Sequence, residues 1–283
     1  MKSNWEIVRP LGHGLSGSVF EVREVGGLHR RGAMKIHRGR SVRASERDFG
    51  READWIEAQP VPGFMPAFYD RGTFEDHSCY VMELAEELPG KLPRRRLMRV
   101  IDRIADALDR LDAQGILHGD VKPTNLALVR GKAVLLDFGS ARTCHEQADD
   151  PACIGTPFYR APEIVRGEPA SRLTDIYSLG VTLGELCRDR DARVFAPLAR
   201  RATATDPAAR PQSFADFRRA ARAETRYAKF ATVVKRAALV IAAVLIAYSC
   251  IMYAVRRHRQ KLLYEDNRDL IRERAFRKAD SIP

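Results

Sequence analysis

Residues 237–255, AALVIAAVLIAYSCIMYAV, run for 19 positions without a charge. Wound as a helix at 1.5 Å per residue, they would extend roughly 28 Å, close to the hydrocarbon thickness of a bilayer. A core helix of that length carries a polar face, and this one offers only Ser249 and the hydroxyls of Tyr248 and Tyr253. Lys235 and Arg236 flank the run on one side, Arg256 and Arg257 on the other, and both tyrosines lie towards its C-terminal end, where interfacial aromatics are favoured. A single membrane crossing is therefore expected. It divides the chain into a large domain over 1–222, a basic juxtamembrane segment over 223–236, the span over 237–255 and a charged tail over 256–283. The 28 tail residues are too few for a separate sensor domain. Their mixed charges suit a short amphipathic helix or a solvated coil.

The first residues, MKSNWEIVRP, lack the apolar core of a secretory signal. The net charge of +11 invites a nucleic-acid or membrane-surface reading. The basic residues are spread along the chain without an aromatic-interleaved block, so no nucleic-acid partner is expected. The cysteines (Cys79, Cys144, Cys153, Cys187 and Cys250) are odd in number and form no C-x-x-C pair, which argues against a zinc site or a disulfide framework. Free thiols fit a reducing compartment.

Strand signals open the large domain. Alternation predicts strands over 5–11 and 19–25, joined by Gly12-His13-Gly14-Leu15-Ser16-Gly17-Ser18-Val19 and left through Gly26-Gly27. The joining segment reads G-x-G-x-x-G-x-V, and its glycines let backbone N–H groups approach phosphate oxygens. A dinucleotide-binding turn would pass directly into a helix, whereas SVFEVREV keeps a strand-like alternation. Eighteen residues after Gly17, Lys35 stands on a short strand with Ala33 and Met34. A helical segment follows, in which Glu52 is the natural carboxylate partner for Lys35, with Glu46 and Glu57 as alternatives. Held by Glu52, the Lys35 ammonium can bind α- and β-phosphates. Ile56, one turn beyond, should face the core. CYVMEL then reads as a buried strand entering a hinge, where the backbone of Glu83 and Ala85 would meet an adenine edge with Met82 behind it.

A helical stripe of Leu97, Val100, Ile101, Ile104, Ala105, Leu108 and Leu111 ends at Gly115 and delivers HGDVKPTN. Asp120 can orient an attacking hydroxyl and accept its proton, Lys122 can stabilise charge on a phosphoryl group in transfer, and Asn125 can hold Mg²⁺. Seventeen residues after Asp120, an apolar strand leads into Asp137-Phe138-Gly139, whose carboxylate is the second metal ligand.

In these motifs, with GTPFYRAPE (155–163), DIYSLGVTL (175–183) and Arg210, the chain resembles Hanks-type (eukaryotic-like) serine/threonine protein kinases over 5–222. The resemblance implies an α+β fold of two lobes, β-rich then helical, followed by one transmembrane helix. It implies ATP and Mg²⁺ as cofactors, with Mn²⁺ as a substitute ion, and protein substrates as partners. The catalytic set is Asp120, Lys122, Lys35 and Glu52. The nucleotide set is Gly12 to Val19, Ala33, Lys35, Glu83 and Ala85, and the metal set is Asn125 and Asp137. Glu163 should pair with Arg210, Asp175 should hold the catalytic-loop backbone, and His118 and Phe138 should stack with Ile56. A span after the kinase domain is similar to the bacterial transmembrane members, which places the domain on the cytoplasmic side of an inner membrane. The chain departs from the family at Gly119, where most members carry arginine, and in the 35 residues from Asp175 to Arg210, a shorter stretch than usual. Small-molecule kinases of the same fold also write His-Gly-Asp, so they and a catalytically weak scaffold remain the alternatives.

Overall fold

The N-terminal alternation closes into a five-stranded antiparallel sheet built by β1 (Trp5–Gly14), β2 (Gly17–Glu24), β3 (Arg31–Ile36), β4 (Phe68–Phe74) and β5 (His77–Glu83), in the order β1-β2-β3-β5-β4. The structure, a computed structural model, describes residues 4–14, 17–37, 46–143 and 155–279. Leu15, Ser16, Cys144 and Cys153 lie outside the described residues. Both strands of the first hairpin run further into the glycine segment than side-chain alternation predicts, with Gly12 opposite Val19, His13 opposite Ser18 and Gly14 opposite Gly17. Strand ends follow backbone pairing across the ladder, which glycine does not oppose, and alternation cannot register that. Gly17 is obligatory there: its φ is +152°, and a Cβ would meet the Ile36 carbonyl oxygen at 2.3 Å.

Between β3 and β4 in sequence, α1 (Glu46–Ala58) buries Phe49, Glu52, Ala53 and Ile56. On β3 and β5, Met34, Ile36, Cys79 and Val81 join Trp5 and Val22 in a small separate core, while Tyr80 belongs to the main core with Phe49 and Ile56.

After the sheet the chain becomes mostly helical. Glu86–Glu87 (β6) pairs with β8 (Leu126–Val129), which pairs with β9 (Lys132–Leu135). Between them lie α2 (Arg94–Asp112) and β7 (Ile116–Leu117), and β10 (Arg142–Thr143) pairs back onto β7. Every residue of the stripe expected on α2 is buried. A single turn, α3 (Pro162–Val165), precedes α4 (Arg172–Leu186), whose first turn is closed by a reciprocal Ser171–Thr174 capping box. The short stretch from Asp175 to Arg210 leaves room beyond α4 for α5 (Asp189–Ala202) and one turn at Pro207–Ala209.

The last helix, α6, covers Phe214–Ala279. Its first turns bury Phe214, Phe217 and Ala221, and Arg218 and Arg222 bond Asp106 and Asp102 of α2, each at 3.1 Å. These contacts carry the first compact unit to Thr225, just beyond the boundary read from sequence. The second unit, 226–283, is helical to Ala279, which decides the tail in favour of helix. Its apolar run is exposed, and it is long and apolar enough to cross a membrane, with a mean hydropathy of 2.4 over its most apolar 18 residues.

Arg210 ties the helical part together. Its guanidinium forks onto Glu163 at 2.6 and 2.7 Å, also donates to the carbonyls of Leu173 and Ala204, and lies over the Tyr177 ring. The Arg210 side chain is fully buried. Removing one partner of such a pair strands a buried charge, at a cost of about 3–5 kcal/mol. Arg210→Leu is therefore expected to lower the thermal midpoint by roughly 6 °C or more, and the double variant Arg210→Leu/Glu163→Leu to recover most of the loss. Equal midpoints for wild type and the single variant would show that the pair does not brace the fold.

Candidate active site

Lys35, on β3, points at α1 and meets Glu52 with Nζ–O distances of 2.6 and 2.7 Å. Of the three carboxylates considered, only Glu52 faces inward. Glu46 instead accepts the Ser78 hydroxyl at 3.0 Å, and Glu57 lies 3.7 Å from Arg71. Asp137 approaches the same ammonium at 3.7 Å. Burial alone would lower the Lys35 pKa, but Asp137 and Glu52 outweigh it and hold the ammonium above its ordinary value. Burial pushes the Glu52 carboxyl up against the pull of Lys35. For Asp137 burial works in the same direction, yet Lys35 and the Gly139 N–H prevail and keep its pKa low. Asp137 occupies a left-handed backbone conformation and its side chain stays 39% exposed, so an ionised carboxylate faces the cleft.

The loop after β7 gathers the second group. Asp120 Oδ1 accepts the Thr156 N–H at 2.9 Å, and Oδ2 accepts from Lys122 Nζ at 2.7 Å and Asn125 Nδ2 at 3.0 Å. An ionised carboxylate has about four acceptor positions. Three are filled from within, which leaves one for an incoming hydroxyl. Lys122 also donates to the Thr156 hydroxyl at 2.6 Å, so GTPFYRAPE is tied directly to the loop. Asn125 spends its amide N–H groups on Asp120, leaving its Oδ1 to face a cation.

Support comes from below. Asp175, buried on α4, accepts the N–H groups of His118 and Gly119 at 2.8 and 2.9 Å. Thr182, a residue the sequence did not single out, has its hydroxyl between the Ser178 carbonyl of its own helix at 2.8 Å and the Val121 carbonyl at 3.1 Å, so its one proton is shared between them. The His118 and Phe138 rings meet edge to face at 5.0 Å, and Ile56 is buried in the same core.

The described residues of the nucleotide set lie on the sheet or just beyond it. Val19 sits opposite Lys35 in the ladder, Ala33 is buried on β3 opposite Met82, and Gly12, His13, Gly14, Gly17 and Ser18 form the end of the β1–β2 hairpin. Glu83 gives its N–H to the Ala67 carbonyl at 2.8 Å, so of its backbone groups only the carbonyl is left for a base edge. Ala85, half-buried, lies two residues beyond the end of β5. Tyr80 was not foreseen. It lies opposite Lys35 on β5 and donates its hydroxyl to Glu52 at 2.8 Å.

Gly119 is more than a missing guanidinium. Its φ is +78°, and a Cβ would stand 2.7 Å from the Ser140 carbonyl oxygen. Its own carbonyl oxygen would be 2.6 Å from a Cβ on Gly155. The catalytic loop and the segment after Asp137 thus touch backbone to backbone at this point, and a side chain here must displace one of them. Gly119→Ala and Gly119→Arg should each destabilise the protein by about 1–3 kcal/mol. Restoring the arginine common in the resembled family should lower the rate. Denaturant midpoints and turnover of both variants check this, and an arginine variant as stable and as active as wild type would refute the contact.

The family model described as "Protein kinase domain" matches residues 5–201, well over half of the chain. "Serine/threonine-protein kinase pkn2" of Myxococcus xanthus is 33% identical over 199 residues, covering 64% of this chain and 24% of its own. "Serine/threonine-protein kinase PknB" of Mycolicibacterium smegmatis is 32% identical over 205 residues, covering 66% of this chain and 32% of its own. The chain thus spans a quarter to a third of the length of these curated relatives. A crystal structure of the Mycobacterium tuberculosis PknI kinase domain superposes with a TM-score of 0.59 at 24% identity, covering 79% of this chain and 96% of that one, a likeness of fold.

Proposed function

Because the chain belongs to the protein kinase domain family, we propose that it is a membrane-anchored serine/threonine protein kinase that transfers the γ-phosphoryl group of ATP to hydroxyls of protein substrates. The observation that carries this reading is the Asp120–Lys122–Thr156 cluster, which joins the candidate base to the segment expected to receive a peptide. A kinase of small molecules has no need of that segment.

Each residue has a task that its surroundings suit. Asp120 orients the substrate hydroxyl with its one open acceptor position and takes the proton as the oxygen–phosphorus bond forms and the bond to the departing diphosphate breaks. Lys122 offsets negative charge beside it. Lys35, kept charged by Glu52 and Asp137, holds α- and β-phosphate oxygens. Gly12 to Val19 cover the phosphates with backbone N–H groups, Ala33 packs on the base, and the carbonyl of Glu83 and the backbone of Ala85 meet its edge. Asn125 Oδ1 and the Asp137 carboxylate are hard oxygen donors that suit Mg²⁺, or Mn²⁺ in its place. Among the described residues no three His, Cys, Asp or Glu side chains form a cage of their own. Two protein ligands suit an ion that completes its shell with water and phosphate oxygens. Such an ion would neutralise charge on the β- and γ-phosphates.

Asp120→Asn should lower kcat at least about 10²-fold with nucleotide affinity kept. Lys35→Met should abolish transfer with the domain still folded at assay temperature, although leaving the buried Glu52 without its ammonium should lower the thermal midpoint. The assay is radiolabel transfer to a generic protein substrate. An Asp120→Asn variant with full activity would overturn the assignment. Nucleotide binding without transfer by the wild type would favour a scaffold, and transfer confined to small alcohols would favour a small-molecule kinase.

For the membrane, residues 237–255 are read as a single span, with the kinase domain in the cytoplasm, where ATP is, and the tail outside. Seven Lys/Arg over 217–236 against five over 256–270 agree weakly with that orientation. Ala279→Cys should be labelled by an impermeant thiol reagent on intact cells. Labelling only after permeabilisation would place the tail inside and remove the crossing.

A further inference from the structure

Glu52 is held from two sides, and the second hold is independent of phosphate chemistry. In the β3–β5 ladder Lys35 and Tyr80 are directly opposite, so both side chains leave the same face of the sheet. Onto that face α1 lowers Glu52. Lys35 takes both carboxylate oxygens, and Tyr80 donates to Oε1 at 2.8 Å. All three side chains are buried, with Glu52 and Tyr80 each 1% exposed. The Tyr80 ring is wedged against Phe49, one turn before Glu52 on the same helix, at 5.5 Å between centroids.

The two holds differ in how they are shared. Lys35 also faces Asp137, and on the reading proposed above it must serve phosphate oxygens during turnover. Each new acceptor draws on the same ammonium. Tyr80 has one hydroxyl proton and gives it to Glu52 in a pocket closed to water.

We propose that Tyr80 is a positioning residue whose hydroxyl fixes Glu52, and with it α1, against the sheet whether or not Lys35 is engaged by phosphate. Two further bonds place the rest of the helix. The Ser78 hydroxyl reaches Glu46 at its start at 3.0 Å, and Arg71 reaches Asp54 in its last turns at 2.5 Å. The helix is thus tied along its length by β4 and β5. This inference rests on the kinase reading only for its effect on the reaction; the docking of α1 stands apart from it.

The experiment uses the full chain in detergent or nanodiscs and compares Tyr80→Phe, which keeps the ring, with Tyr80→Leu, which removes ring and hydroxyl together. Hydrogen exchange of α1 amides is read on nucleotide-free protein. Tyr80→Phe should speed exchange across α1 by roughly tenfold, as for loss of one bond to a buried charge, with a global midpoint near wild type. In turnover it should lower kcat several-fold while the KM for ATP changes little, because Lys35 still meets the phosphates. Added to Glu52→Leu, which removes the acceptor, the same change should have almost no further effect on exchange. If Tyr80 only fills space, Tyr80→Phe will match wild type in exchange and kcat and only Tyr80→Leu will suffer. That result would overturn the proposal while leaving the kinase reading intact. A wild type that exchanges as expected but transfers no phosphate would instead sink the kinase reading and leave the docking role standing.

Discussion

A buried ammonium and a buried carboxylate, Lys35 and Glu52, meet at 2.6 Å between the sheet and α1. Neither could be left alone at that depth, since an unpaired charge there costs several kcal/mol. The pair therefore fixes where α1 sits. Through Lys35 it reaches Asp137, and through Asp137 the segment carrying Phe138, whose ring meets His118 of the catalytic loop. Sheet, helix and loop are joined by one chain of contacts that begins at this ion pair.

The helical part has its own fixed point. Asp175 spends its carboxylate on two backbone N–H groups of the loop, and α4 holds it in the core. Burial pushes its pKa up, and His118 with the two donated N–H groups pulls the other way. The loop that carries Asp120 thus hangs from a helix that is itself closed by a capping box and packed on α2 and α5. Rigidity at the candidate base follows from this support rather than from the loop's own sequence.

Close backbone contact at Gly119 sets the chain apart from the pattern it resembles. A guanidinium at this position could receive a phosphate from the segment after Asp137. Here the Ser140 carbonyl occupies the place where a side chain would begin. Together with the ties from Ser78, Tyr80 and Arg71 to α1, this describes a domain assembled by its own short-range contacts. The single helix between Leu186 and Pro207 shows the same economy at the other end.

The order and spacing of HGDVKPTN, Asp137-Phe138-Gly139, GTPFYRAPE and Arg210 were legible in the sequence because each motif is local. So were the α2 stripe and the uncharged run, since a period of 3.6 residues or the lack of any period is a property of neighbours along the chain. Glu52, the preferred partner for Lys35, could be set apart from Glu46 and Glu57 only by folding, because all three lie on one helix and its rotation against the sheet decides which carboxylate turns inward. Tyr80 read as one more apolar-run residue. Its role depends on the register that places it opposite Lys35, across 45 positions of sequence. The hairpin ends at Gly14 and Gly17 and the contact at Gly119 are likewise meetings of backbone with backbone, which no side-chain pattern records. Sequence by itself determined the elements and the chemistry each could carry. Tertiary structure decided which groups share a face, because register and helix rotation are settled only when distant segments compete for the same buried space.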